Sequence, residues 1–144
     1  MKLNFKMSEL IYSETAIKNN VNNMPDINSL DNLLNLIYYC LQPARELLGA
    51  PMIITSGYRN PLVNRLVGGV NSSQHTKGQA VDFKVSGITP SQIISIIKTS
   101  KIEFDQLINE YDKWVHISYN KGKNRREVLK LSLIHISEPT RLQL

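Results

Sequence analysis

Between Ser29 and Leu48, apolar residues return every three or four positions: Leu30, Leu33, Leu34, Ile37, Cys40, Leu41, Ala44, Leu47 and Leu48. That spacing lays them along one stripe of an α-helix, and a stripe of that width has to be covered by something else. Asn28 or Ser29 is placed to cap the helix start and Gly49 to end it. Pro43 falls inside the pattern, where its missing N–H and its ring call for a kink or a break.

The cover comes from short apolar runs downstream. Met52 to Thr55 (MIIT) reads as a short buried strand, and Ala80 to Val85 (AVDFKV) alternates as a strand does. Phe104–Glu110 and Trp114–Tyr119 read as two strands joined by a turn. Between them, Asn60 can cap a short helix with Pro61 at its first position, stopped by Gly68 and Gly69. Val70 to Gln79 reads as a polar loop. Thr89 and Pro90 open a further helix that turns Ile93, Ile94 and Ile97 inward. A brief helical turn is expected near Ser8. The order is helix, strand, helix, strand, helix, hairpin. It describes an α+β single domain, an antiparallel sheet with helices packed on it.

At 144 residues the chain has the size of one domain, and 42% hydrophobic content is enough for a core. No apolar run reaches the roughly 18–20 residues of a membrane span. MKLNFKMSEL lacks the apolar core of a signal peptide, so export by that route is not expected. The one cysteine, Cys40, cannot form an internal disulfide and reads as a buried apolar residue. The net charge of +5 suits a polyanion such as an anionic wall polymer. The basic residues are scattered, however, and the cluster Lys121, Lys123, Arg125 and Arg126 reads as a solvated end. Nucleic-acid binding is not expected. Residues 131–144 are set apart as a non-native tail, because SLIHISEPTRLQL resembles a translated sequencing adapter. On that account His135 is discounted as a ligand, and the domain is taken as 1–130.

Two histidines remain. In Ser73-Gln74-His75-Thr76-Lys77-Gly78-Gln79-Ala80-Val81-Asp82, His75 and Asp82 stand seven positions apart with Gly78 between them. That is too far for one helix face, but it suits a loop that reverses at Gly78 and enters a strand. Imidazole and carboxylate are both good zinc ligands. His116, in Trp114-Val115-His116, offers a third from a later strand. Three protein ligands leave one coordination position open, the arrangement of catalytic rather than structural zinc. On spacing alone, His75 also reads as an ordinary loop histidine and His116 as a satisfied core histidine.

The segments SGYRNPLVNRLVGG, SSQHTKGQAVDF and FDQLINE with WVHIS resemble the zinc D-alanyl-D-alanine carboxypeptidases and related phage and bacterial endolysin peptidases. These enzymes share a fold core with the Hedgehog signalling domain. The resemblance covers roughly Phe5 to Leu129. It implies that His75, Asp82 and His116 hold one zinc ion, that Arg59 faces the site and helps hold substrate, and that Ser73 lies near the metal. A guanidinium fork suits the gripping of a carboxylate or a scissile carbonyl.

The pattern departs from the family at the general base. Well-known members carry a carboxylate three residues before the last histidine, where this chain has Lys113. Glu110 and Asp112 are the nearby carboxylates. With a three-residue turn, Glu110 lies opposite Trp114 and diagonal to His116, at a Cβ separation of roughly 7–8 Å. A two-residue turn favours Asp112 or neither.

The resemblance implies a monomeric peptidase cutting peptidoglycan stem peptides, as a D-Ala-D-Ala carboxypeptidase or an L-Ala-D-Glu-type endopeptidase. The expected setting is a phage or prophage lysin, held in the host cytoplasm until lysis. The rival expectation, resting on Lys113, is a catalytically inactive zinc-binding module of the cell wall or the virion.

Overall fold

The computed structural model describes residues 2–132, so the segment set apart as non-native, His135 included, lies outside the described residues except for Leu131 and Ser132. Two short helices, α1 (Met7–Ile11) and α2 (Glu14–Lys18), precede the long helical stretch. Only the first of them was expected from the sequence. The long stretch is built in three parts: α3 (Ile27–Leu36), a π-helical turn (Ile37–Leu41) and α4 (Gln42–Leu48). Pro43 sits in the first turn of α4, and the wider π turn before it absorbs the break that a proline imposes.

The π turn also rotates the apolar stripe. Leu33, Leu36, Ile37, Cys40, Leu41, Ala44 and Leu48 are buried, whereas Leu30, Leu34 and Leu47 are exposed, contrary to the single-helix reading. The start of α3 is capped neither by Asn28 nor by Ser29. Asp26 accepts a hydrogen bond from the Ser29 N–H and caps from one turn earlier. Gly49 ends α4 with φ +68°, a backbone angle in which a glycine is unstrained.

Strand β1 (Met52–Ser56) is only half buried, with Ile53 exposed, because it forms the sheet edge. Helix α5 (Pro61–Leu66) starts on the Asn60 cap, whose side chain accepts from the Val63 N–H. The polar loop that follows contains a 3-10 turn, Gln74–Lys77, and leads into β2 (Ala80–Val85). Helix α6 (Pro90–Lys98) opens on a capping box made by Thr89 and Gln92. Strands β3 (Gln106–Glu110) and β4 (Trp114–Ser118) form the hairpin.

The sheet order is β1-β2-β4-β3-β5. Four strands pair antiparallel, as expected, but β5 (Glu127–Leu131) adds a parallel partner to β3 and was not foreseen. Its sequence, EVLKL, runs to Leu131, the first residue of the segment set apart as non-native. The basic cluster before it is more than a solvated end. Arg125 pairs with Asp105, and Arg126 donates to the carbonyls of Ser100 and Ile102 and lies over the Phe104 ring. These bonds fasten the entry of β5 to the entry of β3.

Alternation sorts the sheet into two faces. Val81, Phe83, Leu107, Val115 and Ile117 turn to one side and join Leu33, Leu36, Leu41, Ile93 and Ile97 in the core. Burial of each large side chain there contributes about 1.5–3 kcal/mol. Asp82, His116 and Glu110 turn to the other side. The helices therefore buttress one face of the sheet, and the polar chemistry sits on the opposite face.

Candidate metal centre and catalytic cleft

Asp82 and His116 are direct cross-strand partners in the β2–β4 ladder. The pairing brings His116 Nδ1 to 3.0 Å from Asp82 Oδ1. His75 arrives from the 3-10 turn, with its Nε2 3.4 Å from the same oxygen. One ligating atom from each of the three residues lies within 4.8 Å of the others. Gly78, next after the turn, adopts φ +72°, and a Cβ there would collide with the Ser29 backbone carbonyl. A glycine is thus required where His75 is handed over to β2.

The surroundings prepare these groups to receive a cation. His75 Nδ1 lies 2.8 Å from the Gly57 carbonyl, so it carries the proton and leaves Nε2 with its lone pair free. Gly57 approaches Leu10 so closely that a Cβ would strike the Leu10 carbonyl. Burial holds the His75 imidazole below its ordinary pKa, against the opposing charge of Asp82. Burial pushes the Asp82 carboxyl up, but the charges and hydrogen bonds of His75 and His116 outweigh it and keep the group well below the usual carboxylate range. A neutral imidazole at His75 and an ionised carboxylate at Asp82, with a second imidazole from His116, suit zinc or a similar divalent ion.

Glu110 stands opposite Trp114 because Tyr111, Asp112 and Lys113 form a three-residue turn, with positive φ at Tyr111 and Asp112. Its Oε2 accepts from the Trp114 indole N–H at 2.8 Å and lies 4.0 Å from His116 Nδ1. Burial raises the Glu110 pKa, and the Asp82 charge adds to the rise. Asp112 is not brought to the site. Asn109 donates to its carboxylate, Lys130 lies 3.9 Å from it, and it faces solvent at the turn. Lys113 is exposed, and its N–H closes the turn on the Glu110 carbonyl.

Arg59 is half-buried, and its charge is felt by both Asp82 and Glu110. One terminal nitrogen reaches Ser73 Oγ at 3.5 Å, while its buried Nε has no partner among the described residues. A buried guanidinium N–H without an acceptor is an unsatisfied polar group. Ser73 caps the 3-10 turn, its Oγ accepting from the His75 N–H.

Three supporting groups escaped the sequence reading. The Gly57 carbonyl and the Trp114 indole carried no signal beyond their places in SGYR and WVH. Asp105, buried at the entry to β3, accepts from Gln74 at 2.9 Å and from Arg125, and so ties the His75 turn to the connection before β5.

A two-histidine, one-aspartate cluster with a buried carboxylate alongside defines a metal-dependent hydrolase. The chain belongs to the Peptidase M15 family, whose model matches residues 3–118 and so covers the three candidate metal ligands, Arg59 and Glu110. It is a metallopeptidase of the D-Ala-D-Ala carboxypeptidase-like kind, and the family acts on peptidoglycan-type substrates. No curated protein matches the chain.

Proposed function

We infer that this protein is a zinc peptidase that hydrolyses a peptide bond in peptidoglycan stem peptides. The observation that carries the reading is the position of Glu110, 4.0 Å from His116 and held by the Trp114 indole. It supplies a carboxylate beside the metal-ligating triad although the expected position is taken by Lys113. His75, Asp82 and His116 would hold the ion. When bound, zinc supplies a Lewis acid that polarises the scissile carbonyl and acidifies water.

The protein's own groups do the rest. Arg59, whose charge acts on Asp82 and Glu110, fixes the substrate carbonyl and stabilises the negative charge that develops on its oxygen. Glu110 takes the proton of the attacking water and returns it to the departing amine. Its raised pKa suits a group that must accept a proton and then give it up. Trp114 restricts the carboxylate to one orientation through both steps. In the phage-lysin form of this reading, the protein gathers in the host cytoplasm and meets the wall when the membrane opens.

Mass spectrometry of purified peptidoglycan fragments, incubated with zinc-loaded or chelator-stripped protein, tests the reading. Zinc-dependent loss of one terminal alanine identifies a carboxypeptidase, and zinc-dependent scission inside the stem identifies an endopeptidase. Folded, zinc-loaded protein that cleaves no wall chemotype overturns the enzyme and leaves a binding module.

A further inference from the structure

Beside the triad the cleft opens into a cavity of about 400 Å³. His116 and the buried Ser73 line it, together with Lys77, Lys123 and Arg125, all three exposed at its rim. These cations are unequally engaged. Arg125 is committed to Asp105, the acidic residue that lines the cavity, through bonds of 2.8 and 2.9 Å. Gln74 takes another share of the same carboxylate. Neither Lys77 nor Lys123 is in an ion pair among the described residues.

The cavity thus presents two ammonium groups without an ion-pair partner next to a candidate metal-ligating histidine. A peptide with a free carboxylate a short way from the bond to be cut satisfies both. The carboxylate neutralises the lysines. A neutral or cationic residue in the same place would leave the lysines unpaired or repelled.

We propose that this cavity is the subsite for a substrate carboxylate, held by Lys77 and Lys123. The proposal rests on the peptidase reading insofar as the carboxylate belongs to the peptide being cut. Lys77 follows His75 on the 3-10 turn, whereas Lys123 comes from the connection between β4 and β5, beyond residue 118 where the family match ends. Half of the carboxylate grip is therefore contributed by a segment outside the part of the chain that matches the family.

The test uses the zinc-loaded full chain and a synthetic L-Ala-D-Glu-L-Lys-D-Ala-D-Ala peptide in three forms: free, amidated at the terminal D-Ala, and amidated at the D-Glu carboxyl. Hydrolysis and equilibrium binding by calorimetry are both measured, for the wild type and for Lys77→Met, Lys123→Met and their arginine counterparts. One of the two amidations is expected to lower kcat/KM and affinity about tenfold. Which one it is tells whether the carboxylate is terminal or internal. Each methionine variant is expected to reduce that discrimination several-fold, and the arginine variants to restore most of it. Equal use of all three peptides, or discrimination untouched in both methionine variants, overturns the subsite while leaving the peptidase standing. If no peptide is cut, the peptidase reading fails and binding decides the subsite by the same comparison. Affinity that falls on amidation and in the methionine variants upholds it, and affinity indifferent to both overturns it.

Discussion

The Trp114 indole N–H donates to the Glu110 carboxylate across the mouth of the β3–β4 hairpin, at 2.8 Å between residues that face each other in the ladder. The bond ties the orientation of the proposed base to the register of two strands. Trp114→Phe keeps the ring and removes the donor. Hydrolysis is expected to slow about tenfold with stability changed by about 1 kcal/mol or less. Glu110→Gln is expected to cost about 10²- to 10⁴-fold in kcat with metal binding retained. Steady-state kinetics paired with metal analysis decide. A Glu110→Gln protein that turns over normally would remove Glu110 from the mechanism.

Metal and fold should be linked. An ion that binds the folded chain and not the unfolded one stabilises it by about 3 kcal/mol at a free concentration a hundred times its Kd. Chelation should therefore lower the melting temperature of the wild type. His75→Ala should abolish both the stoichiometric metal and the response to chelator. Calorimetric scans of the two proteins with and without zinc make the comparison, and identical scans would argue against a metal site.

Asp105 predicts an acid limb in stability. Burial pushes its carboxyl up, but the side-chain and backbone bonds from Arg125 and the bond from Gln74 prevail, so its folded pKa lies below the ordinary value. A depressed carboxylate contributes stability that is fully present above the unfolded pKa, near 3.9, and is lost as pH falls from there through the folded value. Denaturant midpoints should thus decline below about pH 4. Asp105→Asn should be weaker by about 1 kcal/mol at neutral pH and show a flatter acid limb. A wild-type and a variant curve that run parallel through this window would refute the assignment.

Gly78→Ala is expected to destabilise by about 2 kcal/mol or more. The residue sits at φ +72°, and its added carbon meets the Ser29 carbonyl and the Leu33 side chain. Because the same turn delivers His75, metal affinity should fall along with stability. Gly122→Ala, also at positive φ but with open space around it, serves as the control that carries backbone strain without the collision.

Much of this was legible in the sequence because it rests on local chemistry. Asn60 before Pro61, Thr89 before Pro90, Gly49 at a helix end and the alternation of AVDFKV all specify their structures within a few residues. The same holds for the three-residue turn that sets Glu110 opposite Trp114, which the sequence left as one of two alternatives. What escaped depends on distant partners. The exposure of Leu30, Leu34 and Leu47 follows from a π turn whose only sequence mark is Pro43. Strand β5 is fixed by its parallel pairing with β3 and by Arg125 and Arg126 reaching back to residues 100–105, none of which is visible as periodicity. The roles of Asp105 and Gln74 arise only once the loop and the strand meet.

That Asp82 and His116 are cross-strand partners has a consequence for how the protein is made. Side chains alternate along a strand, so sliding β2 against β4 by one residue would bury one of the two groups among the helices and leave the other alone on the open face. Only the correct alignment yields a pair able to share an ion. Metal uptake would therefore report that the two strands are correctly aligned. The rate at which a refolding chain becomes able to capture zinc should follow the alignment of its central strands, not its collapse, and the ion, once captured, would lock that alignment against slippage.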